Sequence, residues 1–259
     1  MKKPTCIILA ILIFSTGFSQ PHRLEVSASS ATAIDVFLRL RDVLEGGLRT
    51  YFRVDESVEV GMFEVPVLLV NADNRLERDF RPEHMIDISQ YVRSQRTPLL
   101  LEEDAGNAFI TMVASMREDG ITNMAAISGF RDWEHQERLH NNQISRLAAR
   151  MPLEEARIRA ATIVAPPGAS EHQSGLAIDV SSACIGFALS ERFENTDSFR
   201  WLAVNAHYYG FIIRYPRDSI EITGVIFEPW HLRYVGVSHA VRIFELGLVL
   251  EEYVEGYML

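Results

Sequence analysis

The most constraining feature of this chain is the stretch Ser170-Glu171-His172-Gln173-Ser174-Gly175-Leu176-Ala177-Ile178-Asp179, a tight bend that runs directly into a strand. Period-two alternation places Leu176, Ile178 and Val180 on one face, which reads as core. Ala177 and Asp179 share the other face, where a carboxylate beside a small residue leaves room for something to approach. Gly175 permits a sharp turn, so His172 can fold back toward Asp179. A His and an Asp converging at a bend suit zinc, and a simple hydrogen-bonded His–Asp loop accounts for the same pattern.

A second cluster, Glu228-Pro229-Trp230-His231-Leu232-Arg233-Tyr234, offers a third nitrogen ligand in His231 and a carboxylate in Glu228. In a straight strand, positions three apart point to opposite faces, so the two serve one site only if the chain bends near Pro229. Three ligands with an open fourth position form the usual catalytic zinc arrangement. A structural site or a plain aromatic strand is the alternative. In Ile127-Ser128-Gly129-Phe130-Arg131, a strand ends just before Asp132, a good helix N-cap. Arg131 suits a carboxylate or an oxyanion, although a surface salt bridge to Asp132 or Glu134 uses an arginine equally well.

Around these clusters the hydrophobic spacing predicts helices over residues 31–44, 105–119, 133–150, 199–209 and 237–253. It predicts strands over 65–70, 124–127, 176–180, 211–214 and 230–235, with a weaker one over 51–60. Strands and helices mix without a βαβ rhythm, which favours an α+β domain with a central antiparallel sheet flanked by helices.

The N-terminus reads as an export signal over residues 1–19. Lys2 and Lys3 precede an apolar run, Cys6 to Phe14, too short to span a bilayer comfortably, and small residues follow it. An uncleaved anchor is the alternative. Cleavage would place the protein in the periplasm or outside the cell, leave Cys184 as the one cysteine and take the formal charge from −10 to −12. One cysteine forms no internal disulfide, and Cys184 is expected to be a small buried hydrophobe. Every basic residue beyond Lys3 is arginine, in no basic tract, which makes nucleic acid an unlikely partner.

Together the motifs resemble the VanY-type D-alanyl-D-alanine carboxypeptidases, zinc metallopeptidases with the Hedgehog/DD-peptidase-like fold. The resemblance covers Val65 to Tyr253. It is carried by Val70-Asn71 through Asp79, Ser128-Gly129-Phe130-Arg131 with Gln136, Ser170 through Asp179, Gly210-Phe211 with Arg214-Tyr215-Pro216, and Glu228 through Gly236. It implies His172, Asp179 and His231 as ligands of one zinc ion, Glu228 as general base and Arg131 as the group that steadies the oxyanion. It also implies Ser170 and Gln136 as substrate-binding residues and a peptidoglycan stem peptide as substrate. Residues 61–259 would form this domain, with residues 20–60 an N-terminal extension holding one helix. An L,D-carboxypeptidase, an endopeptidase, a non-catalytic binding module of the same fold and a closed structural zinc site are the competing readings. Phe130, Asp132 and His140 depart from the family's usual residues without removing a ligand or the base.

Overall fold

The computed structural model of the protein describes residues 67–258, preceded only by a pair of two-residue strands, Leu9–Ala10 and Leu24–Glu25. The chain divides into two compact units, Met1–Glu64 and Val65–Leu259. The expected export signal falls within the first unit, largely outside the described residues. The expected elements over 31–44 and 51–60 lie wholly outside them.

In the second unit a short antiparallel pair, β1 (Met85–Asp87) and β2 (Leu100–Glu102), leads into α1 (Glu103–Glu118). Then follow β3 (Met124–Ser128), α2 (Trp133–Ala148), α3 (Leu153–Ala161), β4 (Ala177–Ser182) and α4 (Asp197–Asn205). β5 (Phe211–Tyr215), the one-turn α5 (Ile220–Thr223), β6 (Glu228–Tyr234), α6 (Val237–Leu246) and α7 (Leu250–Tyr257) complete the chain. Four strands form one sheet in the order β3-β4-β6-β5, every neighbouring pair antiparallel. This is the α+β architecture that the pattern predicts.

The two faces of the sheet differ in chemistry. Ile178, Val180, Phe211 and Leu232 face a core shared with Phe109, Met112 and Met116 of α1. Each such side chain contributes about 1.5–3 kcal/mol by leaving water. The alternate positions, Asp179, His231 and Arg233, are also buried but polar, so they need partners within the protein. Beyond β5, Ile212 and Val235 pack with Ala240, Ile243, Leu250 and Tyr253 in a second, smaller core that seats α6 and α7.

Three expectations need correction. Residues 67–70 form no strand, although Val70 is fully buried; the Leu68 carbonyl accepts from the Arg233 side chain instead of from a neighbouring strand. The single C-terminal helix is two, because Gly247 adopts φ +65° and ends α6. Cys184 is exposed, in a one-turn 3-10 helix after β4, rather than buried. The sequence pattern also missed α3, which buries only Ala156 and Ala160 and so carries almost no apolar periodicity.

Candidate metal centre and cleft

Asp179 and His231 are direct cross-strand partners in the β4–β6 ladder, so sheet register alone brings two metal-ligating groups together. His172 arrives from a 3-10 turn, Glu171–Ser174, that precedes β4. Gly175 closes that turn at φ +72°, and a Cβ there would meet the Glu102 backbone nitrogen at 2.9 Å. Only glycine fits both the conformation and the close approach. The Gly175 carbonyl accepts from the Glu102 N–H at 3.0 Å, tying the turn to β2.

The three side chains converge tightly. His172 Nε2 lies 3.2 Å from Asp179 Oδ2, and His231 Nδ1 lies 3.2 Å from Asp179 Oδ1. One ligating atom from each residue falls within 4.8 Å of the others. Ligands held ~2.0–2.2 Å from one ion sit about 3–3.5 Å apart around it, so the spacing suits a single metal. His172 Nε2 and Asp179 Oδ1 are buried without a hydrogen-bond partner. Buried polar atoms are rarely left so, and these two are aimed at a common point that a cation would satisfy.

The far nitrogen of each histidine is held. His172 Nδ1 donates to the Gly129 carbonyl at 2.7 Å, and His231 Nε2 donates to Glu171 Oε2 at 3.2 Å. Each bond uses the outward nitrogen as donor, so the inward nitrogen is the one offered to a metal. Gly129 is itself constrained: a Cβ there would stand 2.3 Å from the Leu100 carbonyl oxygen.

Burial, with the Arg131 charge beside it, lowers His172 to about 4, so it is neutral at physiological pH. Burial also pulls His231 down, but the adjoining Asp179 and Glu171 carboxylates outweigh that and raise it to about 9. The proton on Nδ1 occupies the place a metal would take, and the two compete for one lone pair. Asp179 stays ionised despite its burial, because His172 and His231 hold it well below the usual carboxylate range.

Glu228 Oε2 lies 3.8 Å from His231 Nδ1, so the two residues face one site. The strand achieves this by a register shift. Ile213 pairs with Leu232 but Tyr215 pairs with Glu228, so β6 carries extra residues opposite β5. Burial, with Asp179 nearby, pushes Glu228 up to about 8 in the metal-free site, while His231 and Arg131 pull it down. Arg131 points into the same site, Nη1 3.7 Å from Asp179 Oδ2, and its buried Nε has no partner. Neither Asp132 nor Glu134 takes it as a salt-bridge partner: Asp132 caps α2 through the His135 N–H, and Glu134 pairs with Arg78.

Asp179 and His231 line a cleft of about 430 Å³ that Arg131, Gln136, Ser170, Tyr215, Glu228 and Trp230 also line and that continues along α2 to Arg146, while His172 is fully buried beside them. Gln136 donates to the Ala165 carbonyl at 2.7 Å, which leaves its Oε1 buried and unpartnered. The sequence motifs give no role to Glu171 or Tyr215. Glu171 stood inside the quoted motif, but its partner Arg233 belongs to the other cluster. Tyr215, with its ring 4.9 Å from that of His231, is placed by the same register shift.

An antiparallel sheet that presents a buried His–Asp–His triad to an open cleft defines a metallohydrolase-like class. The chain belongs to the VanY D-alanyl-D-alanine carboxypeptidase family, whose model matches residues 98–237. It is 38% identical over 189 residues to YodJ of Bacillus subtilis (strain 168), named as a carboxypeptidase, covering 72% of this chain and 66% of that one. A D-alanyl-D-alanine carboxypeptidase of Enterococcus faecalis (strain ATCC 700802 / V583) is 35% identical over 191 residues, 73% of this chain and 66% of its own. The chain thus spans just under two thirds of the length of these relatives. Among solved structures, the LdcB LD-carboxypeptidase superposes with a TM-score of 0.64 at 37% identity, covering 72% of this chain and 84% of that chain. VanYB in complex with D-alanine-D-alanine gives 0.63 at 32%, covering 74% and 98%. A D,D-pentapeptidase VanY with Zn(II) gives 0.61 at 33%, covering 73% and 98%. The fold is therefore the Hedgehog/DD-peptidase-like one.

Proposed function

We propose that the chain is an exported zinc carboxypeptidase that removes the terminal D-alanine from peptidoglycan stem peptides ending in D-Ala-D-Ala. The observation that carries this is the convergence of three metal-ligating side chains, two with orphaned buried atoms, on a cleft faced by one carboxylate and one guanidinium. The family and the solved VanY structures with Zn(II) and with D-alanine-D-alanine support it.

His172, Asp179 and His231 would hold the ion. Bound zinc supplies Lewis acidity toward the scissile carbonyl and makes water acidic near neutral pH. Glu228, close to His231 and buried, takes a proton from the attacking water and returns one to the leaving amine. Arg131, with an unused Nε–H, holds the oxyanion as it develops. Gln136 Oε1 and Ser170 hold the peptide in the cleft. No covalent intermediate is required.

Removal of the L-linked D-alanine of a tetrapeptide is the second reading, favoured by the likeness to an LD-carboxypeptidase at 37% identity. The deciding assay offers purified protein a pentapeptide and a tetrapeptide stem, with and without a chelator. Zinc-restored release of D-alanine from the pentapeptide supports the D,D reading; release from the tetrapeptide alone replaces it with the L,D reading. Among the described residues, no helix is long and apolar enough to cross a membrane.

A further inference from the structure

Glu171 is fully buried one residue before a proposed metal ligand, yet it does not line the cleft. Its Oε1 accepts from Arg214 Nε at 2.7 Å and from Arg233 Nη1 at 2.6 Å. Its Oε2 accepts from His231 Nε2 at 3.2 Å. Arg214 is clamped on its other side by Glu251 of α7, through bonds of 2.8 and 2.6 Å. Two carboxylates and two guanidiniums thus form a closed set of four charges that sums to zero. A carboxylate desolvated to this degree survives only with such partners, and a generic buried ion pair has no need of the histidine.

We propose that Glu171 is the positioning residue for His231: it fixes the ring's orientation and keeps the proton on Nε2, so that Nδ1 is presented to the metal. This rests on the reading that His172, Asp179 and His231 hold zinc. Arg214 and Arg233 lock the carboxylate in place, and Glu251 locks Arg214, so the C-terminal helix backs the metal site through side chains. The two histidines are served differently. His172 leans on a backbone carbonyl, which no side-chain substitution removes, whereas the support of His231 is a side chain that can be changed.

The test compares Glu171→Gln with Glu251→Gln in the full chain. Three quantities are read: zinc affinity by chelator competition, the visible spectrum of the cobalt(II)-substituted protein, and the melting temperature of the metal-free protein. Glu171→Gln is expected to lower zinc affinity by about 10–100-fold and to alter the cobalt bands. Glu251→Gln weakens the same charge set without touching His231, so it is expected to lower the melting temperature with affinity and spectrum near wild type. If Glu171→Gln does not fold, Glu171→Asp replaces it, retaining the charge that the arginines need while withdrawing the carboxylate from His231. Wild-type zinc affinity and cobalt spectrum in the Glu171 variant would overturn the proposal, as would an equal affinity loss in both variants. Wild-type protein that binds zinc but releases no D-alanine would overturn the function and leave this inference standing. Wild-type protein that takes up no zinc would overturn both.

Discussion

At the scale of single residues, the site separates into groups that bind metal and groups that act on substrate, and substitutions should divide the same way. Glu228→Gln is isosteric and cannot accept a proton. It should keep zinc and fold while kcat drops by roughly 10²–10⁴-fold, which metal analysis and steady-state kinetics check. Arg131→Lys keeps charge but loses the planar fork. A fall in kcat/KM of ~10²-fold or more at unchanged thermal stability is expected, whereas a near-normal kcat/KM would reduce Arg131 to a bystander. Glu228 also gives a pH signature in metal-free protein. Its folded value of about 8 lies above the ordinary 4.5, so the folded state holds a proton that the unfolded chain releases. Its contribution to stability is complete below pH 4.5 and is lost as pH rises toward 8. His231 acts in the same direction at higher pH, so the test is a difference: Glu228→Gln should flatten the decline in melting temperature between about pH 4.5 and 8.

At the scale of elements, the turn before β4 and the bulge in β6 set the geometry. Gly175→Ala puts a Cβ against the Glu102 nitrogen at positive φ, so a loss of about 1–3 kcal/mol with weakened zinc binding is expected from melting and chelator competition. A variant as stable and as tightly metal-binding as wild type would show that the turn is more forgiving than its contacts. Much of this was legible in the sequence. The alternation of Leu176, Ile178 and Val180 exposes the apolar face of β4, and Glu228 and His231 facing one site require a bend that the register shift provides. The rest depended on long-range pairing. The β1–β2 pair is only three residues per strand, too short for a periodic signal, yet it supplies the Glu102 N–H that anchors the turn. The helix expected over 237–253 failed at Gly247, where the amphipathic pattern continues across a left-handed residue and hides the break.

At the scale of the whole molecule, a chain with net charge −10 concentrates buried charge behind one sheet face. The sequence showed which residues could bind metal, but not that Arg214, Arg233 and Glu251 complete a neutral set around Glu171. Those partners come from β5, β6 and α7, and only the fold brings them together. Cys184 failed for the opposite reason: its apolar context suggested burial, but the chain leaves the sheet just before it. One metal ion should sit between His172, Asp179 and His231. Anomalous diffraction at the zinc absorption edge, from crystals of zinc-loaded protein, tests it most directly. The predicted result is one strong peak ~2.0–2.2 Å from His172 Nε2, an Asp179 carboxylate oxygen and His231 Nδ1, with Glu228 beside the open position. A peak elsewhere, or one that any of the three side chains fails to reach, would contradict it.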